Sequence, residues 1–371
     1  MESVDVAVVG GGLVGSAIGY GLARRGLRVA VCDEGDGALR AARANFGLVW
    51  LQSKGDGMPA YARWTRRSAD AWGGFAAELR ERTGIWTEHA QTGGLDISLG
   101  EAAFEARRLR VERLHNQAEV YDTRMVGRAE VAALLPGVRL GDEVVGGSFC
   151  PHDGHANPLL LLRGLHAGLQ ALGAAYRPDA RVISVVRDGA GFALETAAGR
   201  LLAGRVVLAA GHGTAGLAAS LGLGAPIVAQ RGQIVVTERL APVLPMPTTH
   251  IRQTGDGTLM LGTTQDHPGF DTSVTPAALA GIAANAVRTF PALAGVRLVR
   301  AWAGLRVLTP DGHPVYMQSE SHPGAFVAIC HSGVTLAAVH ATALAEAICA
   351  GALPAEMADF HPGRFDVPAA A

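Results

Sequence analysis

Val4-Asp-Val-Ala-Val-Val-Gly-Gly-Gly-Leu-Val-Gly15 reads as an apolar strand entering a glycine turn, and the run to Gly26 followed by Leu27-Arg-Val-Ala-Val-Cys-Asp33 reads as a helix and a second strand. Gly10, Gly12 and Gly15 stand at the spacing of the dinucleotide fingerprint. The first glycine makes the turn, the second lets the backbone approach a pyrophosphate, and the third lets helix pack on strand. The diphosphate would then lie at the helix N-terminus, beside Leu13 and Val14. Asp33, with Glu34 as the alternative, ends the second strand where an acid binding a ribose hydroxyl pair is expected. A glycine triplet by itself could equally be a turn before a buried helix; the strand before it and the acid after it favour a dinucleotide.

From this unit outward, composition sets the bounds. The 371 residues exceed one ordinary domain and suit two interleaved ones. A formal net charge of −1, with both signs mixed, gives no footprint for nucleic acid or an anionic membrane, which leaves a small molecule or another protein as partner. The four cysteines are scattered without a C-x-x-C pair or metal-ligand spacing, so reduced thiols and no metal are expected. The N-terminus enters a core strand without a secretory pattern, and no run of about 18 uncharged apolar residues occurs. The expectation is a soluble, cytoplasmic chain without a transmembrane segment, peripheral association with the inner membrane being the alternative.

Beyond the fingerprint, Arg40-Ala-Ala-Arg-Ala-Asn-Phe-Gly-Leu-Val-Trp50 is too bulky and basic for a mere connector and should return to the cofactor. Helical spacing is predicted for 61–83 and 101–119, and a short helix for 131–135. Asn157 caps a helix over 158–173, Pro276 starts one over 275–290, and a last helix starts at Ser332. Strands are predicted within 85–98, with a break at Gly93-Gly94, and at 181–186, 191–196, 205–211, 231–237, 257–262, 296–308 and 325–330. The strand 205–211 is buried and ends at Ala210 and Gly211 beside a ligand.

Taken in order, the fingerprint, Ala209-Ala-Gly211, Arg231-Gly-Gln233, Trp302-Ala-Gly-Leu-Arg306 and His331-Ser-Gly-Val-Thr-Leu336 resemble the glycine oxidase/D-amino acid oxidase (DAO) family of FAD enzymes over essentially the whole chain. Asn45-Phe-Gly-Leu-Val-Trp50, Asp153-Gly-His-Ala-Asn-Pro158 and Thr249-His-Ile-Arg-Gln-Thr254 look most like the flavoprotein β subunits of bacterial hydroxyproline and opine dehydrogenases. A related subunit of hydrogen cyanide synthase is similar too. The resemblance implies an α/β fold, α+β overall: a Rossmann-type FAD-binding domain of residues 1–85, 146–222 and 303–371, and an interleaved antiparallel-sheet substrate domain of 86–145 and 223–302.

The resemblance also assigns roles. Arg306 clamps the substrate carboxylate beside the flavin, a planar fork of donors suiting bidentate binding. Ser332, Gly333, Val334, Thr335 and Leu336 turn backbone amides to the flavin's pyrimidine edge, where negative charge develops on reduction. Cys330 departs from the small residue expected before His331. His250 and Arg252 line the substrate cavity, and His250 takes a proton from the substrate amine, hydrogen-bonds it, or is merely satisfied within a sheet. In the loop, Arg40, Ala44, Phe46 and Gly47 return to the cofactor, Arg43 and Asn45 touch its diphosphate or ring, and Leu48 forms an apolar wall with Val49 and Trp50. Val182 meets the adenine. Sarcosine oxidases of the superfamily tether flavin through a cysteine at the position of Gly304, so FAD is expected to be noncovalent. The implied reaction is hydride transfer from Cα–H of a D-hydroxyproline-like or opine-like secondary amine to flavin, in the catalytic β subunit of a hetero-oligomeric dehydrogenase. A solitary oxidase of glycine, sarcosine or D-amino acids using oxygen, and a non-catalytic electron-relay subunit, are the alternatives.

Overall fold

The computed structural model describes residues 2–35 and 41–366, so Arg40 lies outside the described residues. Side chains of the first strand, Glu2–Val9, enter two cores, Val6 and Val8 one and Val4, Ala7 and Val9 the other, with strict alternation from Val6 onward. Burial on both faces is why this strand reads as an unbroken apolar run. It pairs in parallel with Val29–Cys32 on one edge and Gly199–Leu208 on the other. The parallel sheet extends to Ala175–Arg177 at one side and Ala325–Ile329 at the other. Val315–Gln318 closes one edge in antiparallel sense, and the hairpin of Val182–Asp188 and Gly191–Thr196 pairs onto Gly199–Leu208.

Helices Leu13–Ala23, Pro59–Thr83 and Pro158–Ala171 share one core with the C-terminal helical run. The glycines of the first helix permit this packing. A Cβ on Gly19 would lie 2.8 Å from Val31 Cγ2, and one on Gly21 would lie 2.2 Å from the Ala341 carbonyl oxygen. Asn157 caps its helix by accepting the N–H groups of Leu159 and Leu160 at 3.1 and 3.2 Å.

The last helix departs from expectation at its start. The first i to i−4 bond runs from Leu336 N–H to the Ser332 carbonyl at 2.9 Å, but regular helix begins only at Ala337–Val339. It then passes through a π segment, His340–Leu344, before Ala345–Ala350. His340 Nε2 lies 2.7 Å from the Tyr316 hydroxyl, which accepts Trp64 Nε1–H at 3.2 Å. This buried chain ties the π segment to the long helix and the sheet edge.

A second layer is antiparallel. Four strands, Val228–Arg239, Ile251–Gln253, Thr258–Gly262 and Leu298–Leu308, form one sheet. Gly94–Leu99, Arg124–Gly127 and Val144–Cys150 form another, joined to the first by a bridge between Leu95 and Thr248. Both share a core with helix Pro276–Thr289. The boundary expected between residues 302 and 303 falls inside Leu298–Leu308, which pairs throughout with Val228–Arg239. Strand structure expected from residue 85 begins at Gly94, where a Cβ would lie 2.4 Å from the Trp50 ring.

The contrast between buried and exposed helix glycines gives a test. Gly21→Ala should destabilise the protein by about 1–3 kcal/mol through overpacking against Ala341. Gly73→Ala, where a Cβ meets nothing within 4 Å on an exposed helical turn, should stabilise it by about 0.5–1 kcal/mol. Denaturant melts of both variants check the pair.

Candidate active site

A cleft opens at the carboxyl ends of the parallel strands, where open α/β sheets bind ligands. Gly10 takes φ 109°, and a Cβ there would lie 2.5 Å from the Ala209 carbonyl oxygen. A Cβ on Gly15 would lie 2.0 Å from the Gly10 carbonyl oxygen, so this glycine sets the approach of helix to strand. Gly12, by contrast, caps the helix without a side chain and faces open space. The first N–H groups of the helix, at Leu13 and Val14, therefore point toward the cleft without an intrahelical acceptor. Asp33 Oδ2 accepts Gly11 N–H at 2.5 Å and Oδ1 accepts Gly35 N–H at 2.9 Å. Asp33 thereby orders the turn at the edge of the cleft. Glu34 lines the same cleft and is exposed.

This cleft has a volume of about 700 Å³, with Val182, Ala210, Gly211, Asn45 and Gly333 among its walls. It adjoins a second cavity of about 390 Å³, and Ala41, Asn45 and His331 line both. At the junction a Cβ on Gly304 would lie 2.0 Å from Ala44 Cβ, so this glycine lets the turn Ala41–Ala44 seat on strand Leu298–Leu308. Leu48 lines the second cavity as expected, and its carbonyl accepts the Thr335 hydroxyl at 3.1 Å.

Arg306 is placed by strand register. Gln230 pairs with Arg306, Gly232 with Gly304 and Ile234 with Trp302, so alternation puts these six on one face. Gly232 leaves space for the guanidinium, since a Cβ there would lie 2.6 Å from Arg306 Nη2. The guanidinium donates to Gln230 Oε1 at 3.0 Å, the Thr264 carbonyl at 2.9 Å and the Thr263 hydroxyl at 2.7 Å. All of these are neutral acceptors. The arginine is oriented without an ion pair, and burial lowers its pKa from the ordinary value against the weaker attraction of Asp266. The neighbouring Arg231 and Gln233 do other work: both bind Asp266, and Arg231 also binds Asp271, fastening the strand to the 264–275 loop.

His250 lines the same cavity, with Nδ1 3.1 Å from the Gly262 carbonyl oxygen. A carbonyl only accepts, so Nδ1 carries a proton, and in the neutral ring Nε2 is the acceptor. Arg252 is a correction. It lines neither cavity; it is buried, donating Nε–H to the Phe46 carbonyl at 2.8 Å and reaching Met260 Sδ at 2.9 Å. Its role is to hold the Phe46-Gly47 backbone, where a Cβ on Gly47 would lie 2.4 Å from the Ala156 carbonyl oxygen. Arg43 also departs from expectation, standing exposed on the turn and outside both linings. Asn45 instead lines both cavities, its Oδ1 accepting Gly47 N–H at 2.8 Å.

The segment 332–336 fits a flavin ring. Ser332, Val334 and Thr335 line the second cavity, while Leu336 is buried beneath them. The N–H groups of Gly333, Val334 and Thr335 have no acceptor among the described residues. A Cβ on Gly333 would meet only ordinary contacts with Leu13 and Val14, at 3.6 and 3.5 Å, so protein packing does not by itself demand glycine there. Free donors beside a glycine, at the end of a cleft begun by the fingerprint, suit FAD.

Several cavity residues escaped the sequence reading, Lys54 among them. Lys54 lines the second cavity, with burial and the Arg110 guanidinium pushing its ammonium down to about 8. The signal was there to be counted: it is the only lysine among the chain's 32 Lys and Arg residues.

Comparison with known proteins identifies the family. The family model described as FAD dependent oxidoreductase, DAO, matches residues 5–347. The chain is similar to the B subunit of opine oxidase from Agrobacterium tumefaciens (strain Ach5), with 41% identity over 318 residues that cover 85% of each protein. It is also similar to glycine oxidase of Pseudomonas putida, with 30% identity over 327 residues, 84% of this chain and 85% of that protein. The crystal structure of glycine oxidase from Geobacillus kaustophilus matches with a TM-score of 0.86 and 25% identity, covering 97% of this chain and 98% of that one. By sequence and by fold, the chain belongs to the DAO family of FAD-dependent oxidoreductases.

Proposed function

We propose that this chain oxidises the Cα–N bond of an amino acid that is a secondary amine, opine-like or D-hydroxyproline-like, as the catalytic subunit of a dehydrogenase complex. The observation that carries the reading is Arg306, an oriented guanidinium without an ionic partner, in a cavity that adjoins the dinucleotide cleft. Likeness to the opine oxidase protein supports both the substrate class and the presence of further subunits. Among the described residues no helix is long and apolar enough to cross a membrane, and we place the chain in the cytoplasm. We retain residues 1–85, 146–222 and 303–371 as the FAD-binding part and 86–145 with 223–302 as the substrate part, with Leu298–Leu308 running through both.

FAD, held noncovalently, supplies the acceptor for the hydride that leaves Cα. Leu13 and Val14 N–H groups bind its diphosphate, Asp33 or Glu34 its ribose, and the strand at Val182 its adenine. Gly333, Val334 and Thr335 N–H groups would hold the ring edge and favour negative charge there. Arg306 fixes the substrate by its carboxylate, which orients Cα–H. His250 Nε2 receives a proton from the amine or holds it by a hydrogen bond, since hydride departs from the neutral amine. Gly304 offers no thiol, and Cys330, pushed up to about 12 by burial, is protonated at neutral pH.

Anaerobic mixing of the yellow protein with cis-4-hydroxy-D-proline, octopine, nopaline, sarcosine and glycine should bleach the flavin with at least one secondary amine. Absence of bleaching by every compound, with FAD bound, would overturn the catalytic role. Admitting oxygen then separates an oxidase from a dehydrogenase. Arg306→Lys keeps the charge and loses the fork, and should raise KM by roughly 30-fold or more; unchanged kinetics would remove Arg306 from the site. Acid precipitation should release all of the flavin into the supernatant.

A further inference from the structure

Charge in the second cavity is unbalanced. Its walls carry three strong cations, Arg306, Arg110 and Lys54, against one carboxylate, Asp96. Asp96 is taken by Arg107 at 3.2 Å from outside the lining. Arg110 has Asp56 at 3.6 Å, which Arg113 holds more closely at 2.8 Å. Arg306 meets only neutral acceptors, and the ammonium of Lys54 makes no hydrogen bond or ion pair among the described residues. Two cations without an ion-pair partner thus line one cavity. A partly buried cation without a partner is unfavourable, and a single substrate carboxylate can pair with only one of them.

The placement of Lys54 is also built. Tyr121 donates its hydroxyl to the Lys54 carbonyl, Arg110 Nη2 donates to the Ser53 carbonyl at 3.1 Å, and Arg107 Nη1 donates to the Ser53 hydroxyl at 3.1 Å. Lys54 N–H itself donates to the Leu51 carbonyl at 2.8 Å. A flexible surface lysine would need none of this.

We propose that Lys54 binds a second carboxylate of the substrate, so that the site takes a dicarboxylic secondary amine, an N-(carboxyalkyl) amino acid, with its two carboxylates on Arg306 and Lys54. This rests on the proposed amine oxidation and narrows it, because a monocarboxylate of the hydroxyproline type leaves Lys54 unpaired. Lys54 is here a specificity-determining residue.

The test uses matched pairs that differ by one carboxylate: sarcosine with iminodiacetate, and N-ethylalanine with N-(1-carboxyethyl)alanine. In the holoenzyme the diacid of at least one pair should be preferred by about tenfold or more in kcat/KM. Lys54→Met should raise KM for that diacid about 30-fold while changing its monoacid less than about threefold. Equal losses for both members of the pair, or a preference retained by the variant, would overturn the proposal. A second measurement needs no variant and no turnover. Because Lys54 is the sole lysine, trinitrobenzenesulfonate labels one side-chain amine in the wild-type holoenzyme. Thiodiacetate should slow that labelling at least about tenfold more than (methylthio)acetate at equal concentration; equal protection overturns the subsite. If none of the amines bleaches the flavin, the oxidation reading fails, whereas the labelling result still reports on the subsite alone.

Discussion

The distance between the first helix and the first strand governs the cleft. Gly15 has no side chain, and any Cβ there would sit 2.0 Å from the Gly10 carbonyl oxygen. With that contact closed, Gly12 is left facing open space at the helix start, and its neighbours' N–H groups become a site for a diphosphate. Asp33 reinforces the same turn by receiving Gly11 and Gly35 N–H groups. Further along the helix, Gly19 and Gly21 extend the close approach to Val31 and to the C-terminal helical run. One row of missing side chains therefore positions the nucleotide end and, through Ala341, the helix whose start faces the ring end.

The antiparallel layer contributes the opposite wall. Its strand pair Val228–Arg239 and Leu298–Leu308 places glycines face to face at Gly232 and Gly304. Gly232 makes room for a guanidinium within the layer, and Gly304 makes room for a turn from the other layer. The cation that orients substrate and the seam that joins the two layers are products of the same register. A slip of one residue would turn Arg306 away from the cavity and put a side chain in the seam.

What could be read in the sequence was local. The glycine spacing and the apolar first strand each depend on neighbours within a few residues, and both hold in three dimensions. Arg252 could not be read in this way. It sits two residues from His250, yet its guanidinium is drawn to the Phe46 carbonyl, 206 positions away, and away from the cavity. Lys54 was missed because a lysine in a polar loop ordinarily marks solvent, and the groups that seat its loop, Arg107, Arg110 and Tyr121, lie 54, 57 and 67 positions from the backbone or side-chain atoms they bind. The start of the last helix was misread because Ser332 makes the first helical bond while the regular repeat waits until Ala337.

The anchoring of the 51–57 loop has a consequence for selection among substrates. Arg306 is oriented by side-chain bonds that do not involve a ligand, whereas Lys54 is braced through the backbone of its loop and carries its ammonium on a four-carbon stem. Such a pair acts as a caliper with one fixed jaw and one sprung jaw. A molecule is then sorted by the span between its charged ends, and lengthening or shortening its carboxyalkyl arm by one methylene changes the fit at one jaw while the other remains engaged.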